Sequence, residues 1–229
     1  MGIMAKSIFY IDEMLWQRFG TTDYEGLRLC ELGNQFIRPK GRLPEHVTRY
    51  YSGASFKGKR YFEHLGFDTV CIDINGKDES LPLDLTKPIA RDDLLDSFDV
   101  VVNAGTTEHI PDQYWTWWNI HNLCRTGGVV INILSLDDGS WFDHAYINYS
   151  PEFFGFLAQG NGYSVVDRRI TDLKYGAAFR KESIFITLRK EKDVPFVEEK
   201  DFAWPTICEP GFAKVGVDPA PYIWRAAKG

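Results

Sequence analysis

Short apolar runs, separated by segments with helical spacing, organise the first 190 residues of the chain. The runs cover residues 27–32, 68–73, 98–103, 129–134, 163–170 and 183–190. Those around Val70, Val101 and Ile131 are nearly continuous in Val, Ile and Cys, whereas half-buried strands alternate apolar and polar residues. Continuous runs are typical of central strands that helices cover on both faces. The pattern therefore predicts an α/β layered sheet.

The segments between these runs predict the helices of that layered fold. Crossover helices are expected at 57–66, 88–96, 112–124 and 151–160. Asp112 begins the third helix, and the fourth has Ser150 as N-cap and Pro151 at its first position. An amphipathic segment, 10–19, precedes the first run. The last two runs have no clear helix between them and predict an antiparallel hairpin at the sheet edge, with 171–182 as a long connection.

The same pattern divides the chain into three parts. These are an N-terminal helical extension (1–24), an α/β domain (25–190) and an irregular tail (191–229). Glu31 and Asp73 are 42 residues apart, about twice the roughly 20 of a compact nucleotide-binding unit, so 36–56 reads as an insertion. It either lines a substrate entrance or forms a surface loop. The tail is proline-rich but also aromatic, so we expect it to wrap the domain or a neighbouring subunit.

Composition narrows the possible partners. The chain has 26 basic and 32 acidic residues and a net charge of -6, so no global positive field attracts it to nucleic acid. No apolar stretch approaches the roughly 18 residues of a membrane helix. The cysteines are scattered without a CxxC pair: Cys30, Cys71, Cys124 and Cys208. We therefore expect a cytoplasmic protein with reduced thiols that binds neither nucleic acid nor membrane.

Acidic residues follow the first strands of the predicted sheet. In an open parallel sheet, ligands bind beyond the carboxyl ends of the strands, where the chain has Glu31, Asp73 and Asp84. Carboxylates repel a pyrophosphate but suit a cation or a ribose diol. Asp73 can accept from ribose hydroxyls and Asp84 from an adenine amino group, Glu31 suits the positive end of an amino-acid moiety, and Gly33 permits close approach. Together they predict a site for a positively charged nucleoside without phosphate.

Six segments in order carry a family resemblance. They are "ELGNQ", "VCIDIN", "LPLDL", "FDVVVNAGTTEHIPD", "RTGGVVINIL" and "SIFITLRK". In this order they resemble the motifs of class I S-adenosylmethionine-dependent methyltransferases. The resemblance implies a Rossmann-like, seven-stranded, mostly parallel sheet with helices on both faces, an antiparallel C-terminal hairpin and S-adenosylmethionine as methyl donor. It also implies seven cofactor-binding residues: Glu31, Gly33, Asp73, Asp84, Leu85, Asn103 and Gly105.

Two segments depart from the family pattern. Gln35 stands where the motif acid-x-Gly-x-Gly has its second glycine, so the motif does not determine the backbone geometry of the first loop. "TTEHIPD" resembles a segment that lies near the substrate in the ubiquinone-biosynthesis branch and, in some members, binds a divalent cation. Here only Glu108 and His109 match it, which leaves a Mg²⁺ site one carboxylate short, so we predict no metal. Helix capping and packing are the alternative roles for this segment.

The resemblance implies methyl transfer, an in-line displacement that needs a base if the acceptor is not already ionised. Histidine suits that task. The candidate catalytic residues are His144, which follows the strand at 129–134, and His109, with Glu108 beside it. His121 is expected to be a packing or surface residue. "NAGT" replaces the Asn-Pro-Pro-aromatic motif of base-amine methyltransferases, so we expect transfer to a small molecule, at a hydroxyl oxygen of a metabolite or saccharide.

Two other functions are considered. An NAD-dependent oxidoreductase would need a GxGxxG turn after the first strand, which the chain lacks. A non-catalytic binding or scaffold protein that retains the fold stays open. The helix that follows Asp112 carries Trp115, Trp117 and Trp118, which cannot all share one of its faces. Some of these indoles are therefore left outside the core. Contact with a second copy of the chain, through this helix or the tail, is the simplest way to bury them.

Overall fold

The computed structural model describes residues 2–38, 44–45, 47, 56–141, 144–145, 147–175 and 179–207. Its helices are α1 (Ala5–Phe19), α2 (Gly58–His64), α3 (Gln113–Leu123) and α4 (Pro151–Gly160). Its strands are β1 (Gly2–Met4), β2 (Arg28–Leu32), β3 (Phe36–Arg38), β4 (Phe56–Lys57), β5 (Asp68–Ile72), β6 (Phe98–Ala104), β7 (Cys124–Ser135), β8 (Ile147–Asn148), β9 (Tyr163–Tyr175), β10 (Phe179–Lys190) and β11 (Thr206–Ile207).

The main sheet contains six of these strands in the order β5-β2-β6-β7-β10-β9. The first four are parallel, and β10 pairs antiparallel with both β7 and β9. Every residue of β6 is buried. Val101 joins the core layer of α3 and α4, whereas Val100 and Val102 join the layer of α1 and α2. Helices on both faces thus account for the continuous apolar run, and the mixed α/β sheet is confirmed.

The seventh strand of the predicted sheet is not found among the described residues. Leu81 instead makes an isolated parallel bridge to Ile72 at the free side of β5. The next residue is Pro82, which has no N–H to donate to a ladder. The single bridge between Leu81 and Ile72 therefore stands in place of the expected seventh strand, and the chain continues to Asp84.

Two other local predictions are wrong. Residues 88–96 form no helix: 88–91 have no regular structure and 92–96 form turns. Ile89 N donates to the Asn119 side chain at 2.8 Å, and Asp96 has a positive φ of 48°. The 171–182 connection is mostly strand, because β9 extends to Tyr175 and β10 begins at Phe179. The twelve register pairs between these two strands stabilise the extensions across the ladder.

The predicted caps of the last two helices are confirmed. The Asp112 carboxylate accepts from Trp115 N at 3.1 Å, and the Ser150 hydroxyl accepts from Phe153 N at 3.2 Å. Within α3, Trp117 lies in the core, whereas Trp115 and Trp118 are partly buried with ring centroids 5.7 Å apart. The three indoles therefore divide between faces, as the spacing predicted.

The described part of the tail packs on the domain. Phe196 and Phe202 are buried, each with its ring centroid 5.8 Å from that of Tyr114 on α3. Cys30, Cys71 and Cys124 are buried free thiols. Within the described segments, no helix has the length and apolar character to cross a bilayer. Residues 208–229, with Cys208, and most of the insertion at 36–56 lie outside the described residues.

Candidate active site

A cavity of about 420 Å³ opens at the carboxyl ends of β2, β5 and β6. Six of the residues predicted from the sequence line it: Gly33, Asp73, Asp84, Leu85, Gly105 and His109. Ligand pockets of small-molecule proteins span about 300–1,000 Å³. The structure therefore brings most of the predicted site residues together at one place of suitable size.

Gly33 makes the turn after β2 possible. Its φ is 77°, in the left-handed region that favours glycine. A Cβ at this position would lie 2.3 Å from Thr106 Oγ1 and 2.7 Å from Gln35 Nε2. The sequence predicted that a ligand approaches the backbone closely at Gly33. In the structure the close neighbour of Gly33 is the loop after β6, and a side chain on residue 33 would clash with it.

Gln35, unexplained by the sequence, joins the loops after β2 and β6. Its Nε2 donates to Thr106 Oγ1 at 3.0 Å, and Thr106 in turn donates to the Leu32 carbonyl at 2.6 Å. Gln35 is only 7% exposed, lines the cavity, and its Oε1 has no hydrogen-bond partner in the described part of the chain. The second glycine of the motif is therefore replaced by a side chain that fixes the loop and leaves a buried acceptor at the cavity.

Asp73 is held by backbone donors. Its Oδ2 accepts from Asn34 N at 2.7 Å, and its Oδ1 accepts from Asn75 N at 2.9 Å. Both donors fix the orientation of the carboxylate at the end of β5. Since a carboxylate offers about four lone-pair sites, two remain for ligand hydroxyls.

Asp84 and Leu85 form the next part of the wall. Burial raises the pKa of Asp84, but hydrogen bonds from Thr86 and the Lys87 ammonium outweigh it, so the pKa lies below its usual value. The Asp84 carboxylate accepts from Thr86 N at 3.0 Å and Thr86 Oγ1 at 2.7 Å. The Leu85 carbonyl accepts from Asn119 Nδ2 at 3.1 Å, so α3 positions this segment.

Two predicted cofactor residues do not line the cavity. Glu31 is 1% exposed, and a Cβ on Gly58 would lie 1.9 Å from its Oε1, so the carboxylate is beneath the start of α2. Burial raises the pKa of Glu31 to about 8. Asn103 is fully buried and donates to Thr107 Oγ1 and Asn132 Oδ1, both at 3.0 Å. Glu31 thus packs against the start of α2, and Asn103 holds Thr107 in the turn after β6.

The three candidate catalytic residues lie together. Glu108, His109 and His144 each have a carboxylate oxygen or ring nitrogen within 4.8 Å of those of the other two. The ring centroids of His109 and His144 are 5.0 Å apart at an interplanar angle of 84°. Burial is the main cause that lowers the pKa of His109 to about 3 and raises the pKa of Glu108 to about 7. His109 reaches the cavity wall.

A buried polar network positions this cluster. The 3₁₀ turn Thr107–His109 carries two of its members. The Tyr149 hydroxyl lies 2.8 Å from Thr107 Oγ1 and donates to Gln113 Oε1 at 2.6 Å, and Gln113 Nε2 donates to the Thr107 carbonyl at 2.8 Å. Sequence reasoning missed Tyr149 and Gln113. No local pattern marks them, because they reach the turn from separate elements.

His121, by contrast, is a packing residue, as expected. Its Nδ1 lies 2.9 Å from the Tyr163 hydroxyl and its Nε2 lies 2.8 Å from the Val194 carbonyl. Burial lowers its pKa to about 4. Both ring nitrogens have partners far from the cavity lining, so this imidazole ties α3 to β9 and to the tail.

Solved structures share this architecture. The 1,6-didemethyltoxoflavin-N1-methyltransferase of Burkholderia thailandensis, solved with 1,6-didemethyltoxoflavin and S-adenosylhomocysteine, is 15% identical, with a TM-score of 0.50 over 79% of this chain and 76% of that one. An S-adenosylmethionine-dependent methyltransferase of Archaeoglobus fulgidus is 10% identical, with a TM-score of 0.49 over 81% of this chain and 96% of that one. The [4+2]-cyclase SpnF is 11% identical, with a TM-score of 0.49 over 78% and 79%.

No protein-family profile and no curated protein matches the chain by sequence. The structural similarity shows that the chain has the class I S-adenosylmethionine-dependent methyltransferase fold. A fold hosts different activities, so the function has to be argued from the cavity and its side chains.

Proposed function

We propose that this protein uses S-adenosylmethionine to methylate a hydroxyl oxygen of a small molecule. The observation that carries the proposal is the cavity, which is lined by Gly33, Asp73, Asp84 and His109. The groups proposed to bind ribose and adenine thus share one space of about 420 Å³ with His109, the member of the titratable cluster that lines it. Proximity of donor and acceptor supplies a large part of the rate in such a displacement.

Each cofactor group has a proposed partner. Asp73 receives the ribose hydroxyls, and Asp84 with Leu85 contacts the adenine. Gly33 and Gly105 allow the methionyl end to approach the backbone, and the unpartnered Gln35 Oε1 accepts from its ammonium group. Glu31 and Asn103 keep a supporting role, because neither lines the cavity.

Methyl transfer from the cationic sulfonium to the acceptor hydroxyl moves one bond and one proton. A lone pair of the acceptor oxygen forms the O–CH₃ bond while the S–CH₃ bond breaks and its electron pair remains on sulfur. The cationic sulfonium becomes a neutral thioether, and the hydroxyl proton has to leave. His144 or His109 receives that proton in this proposal, with Glu108 beside them. Burial lowers the pKa of His109 to about 3 and makes it a weak base, so His144 is the preferred acceptor of the proton.

The acceptor is proposed to be a small hydroxylated metabolite or saccharide. The net charge of -6 and the "NAGT" turn both weigh against a nucleic acid substrate. A cytoplasmic location and contact with a second copy through α3 or the tail remain predictions.

Calorimetric titration tests the cofactor. S-adenosylmethionine and S-adenosylhomocysteine are expected to bind, and NAD is not. If neither sulfur nucleoside binds, the proposal fails. Transfer of radiolabelled methyl to pools of hydroxylated metabolites, with pools of amines and RNA as contrasts, then tests the acceptor. Cofactor binding without transfer to any pool would instead favour a non-catalytic binding protein.

A further inference from the structure

Glu108, His109 and His144 converge from two separate segments of the chain. The first two lie on the 3₁₀ turn after β6, and His144 lies in the connection between β7 and β8. One ligand-type atom of each side chain lies within 4.8 Å of the other two. We propose that these three side chains bind a divalent transition-metal ion such as Zn²⁺.

Glu108 provides the first independent indication. Its side chain is 0% exposed, and its Oε2 accepts from Ser135 N at 3.0 Å, which fixes the carboxylate. Its Oε1 has no hydrogen-bond partner in the described part of the chain and lies 3.9 Å from His109 Nε2, too far for a hydrogen bond. A buried carboxylate oxygen without a partner is costly. A metal ion would satisfy that oxygen and balance the buried charge.

The two imidazoles provide the second indication of a metal site. His109 Nδ1 is buried without a hydrogen-bond partner among the described residues. Neutral imidazole is the form that binds metals. The His144 ring lies with its centroid 5.6 Å from that of the buried Trp141, and the backbone N–H of His144 donates to the Trp141 carbonyl at 2.9 Å. Packing thus holds the second ring beside the first.

The donor set selects the class of metal. Two nitrogens and one carboxylate oxygen suit Zn²⁺ or Fe²⁺, whereas Mg²⁺ prefers six oxygens and retains water. Zn–N bonds of about 2.0–2.1 Å require the ligand atoms to approach one another by roughly an ångström. Three protein ligands leave a further coordination position, and His109 lies at the cavity wall where that position could take an oxygen ligand.

The use of such an ion in methyl transfer rests on the proposed function. A metal-bound acceptor hydroxyl loses its proton to water more readily, and the two histidines would then be ligands rather than bases. Chelation distinguishes these roles. Removal of the metal abolishes transfer if the ion activates the hydroxyl, and leaves it unchanged if an imidazole is the base.

The direct experiment is a metal titration of the full chain, freed of metal and of any affinity tag. Zn²⁺ is expected to bind at one equivalent, and Mg²⁺ is not. Glu108→Gln, His109→Gln and His144→Gln should each lower Zn²⁺ affinity at least about 100-fold, because loss of even a second-shell partner costs about 10–100-fold. His64→Gln is the matched control: it removes an exposed imidazole at the end of α2 and should leave Zn²⁺ affinity unchanged.

Thermal unfolding and titration with S-adenosylhomocysteine accompany every variant, so that loss of fold, cofactor site and metal site are separate results. The proposal is overturned if the wild-type protein binds no Zn²⁺, or if His64→Gln weakens binding as much as the three ligand variants. Zn²⁺ binding by a protein that binds no sulfur nucleoside would retain the metal site and contradict the methyltransferase proposal.

Discussion

Four carboxylates that lie in or shortly after apolar stretches of the sequence fall into two different pairs in the structure. Asp73 and Asp84 line the cavity, and each accepts a hydrogen bond from a backbone N–H. Glu31 and Glu108 are almost completely buried, and each has at least one carboxylate oxygen without a hydrogen-bond partner in the described segments. One pair consists of aspartates and the other of glutamates, but the larger difference lies in their surroundings.

The difference in surroundings suits the two pairs of carboxylates to different roles. Backbone donors orient Asp73 and Asp84 while they stay in contact with water, so they can exchange water for ligand hydroxyl and amino groups at little cost. A buried carboxylate without a partner is stable only if a proton or a cation accompanies it. Glu108 has two imidazoles within 4.8 Å for such chemistry. Glu31 lies against Gly58 at the start of α2, with Lys57 near enough to favour its ionised form.

The largest expected effect is on the transfer rate. With an acceptor in hand, His109→Gln and Glu108→Gln should each slow methyl transfer about 100-fold or more, the usual cost of removing a group that handles the transferred proton. Affinity for S-adenosylhomocysteine should not change, because other residues make the proposed contacts with the cofactor. Steady-state rates and calorimetry check both parts, with His64→Gln as control. An equal loss of cofactor affinity would contradict the separation of the two carboxylate pairs.

A second prediction concerns the turn that joins the two loops. Gly33→Ala places a Cβ 2.3 Å from Thr106 Oγ1 and should weaken binding of S-adenosylhomocysteine by about 30-fold, or about 2 kcal/mol. Gly139→Ala is the matched control, because its φ of 79° is nearly that of Gly33 but nothing lies within 4 Å of the added Cβ. Calorimetry on both variants separates crowding from backbone strain. Equal affinities would mean that the Gln35–Thr106 bridge does not shape the cofactor site.

Part of the fold and of the candidate site could be predicted from the sequence alone. Apolar runs and caps predicted the sheet, three crossover helices and the position of Asp73, because strand order and burial follow from local patterns. The role of Gln35 could not be predicted, since its partner Thr106 is 71 residues away. The same holds for the buried atoms of Glu108 and for Tyr149, which depend on packing between distant segments. Pro82 was a visible signal against the seventh strand.

A smaller effect is expected at the ribose-binding acid. Asp73→Asn removes the charge but retains one acceptor oxygen, so affinity for S-adenosylhomocysteine should fall about tenfold, because a hydrogen bond to a charged group is worth about 1 kcal/mol more than a neutral one. Asp68→Asn, at the other end of the same strand and paired on the surface with Arg28, is the control. Unchanged affinity in Asp73→Asn would remove the ribose assignment.

The smallest effect tests the buried acid that has no imidazole beside it. Burial raises the pKa of Glu31 from 4.5 to about 8, so between these values the folded state binds a proton that the unfolded state does not. Stability therefore falls as pH rises through this window. Glu31→Gln cannot ionise, and urea unfolding should show wild type losing about 1 kcal/mol relative to the variant between about pH 6.5 and 7.3. A constant difference across that range would mean that Glu31 is already ionised in the fold, stabilised by Lys57 and the start of α2, and would remove the contrast between it and the two cavity aspartates.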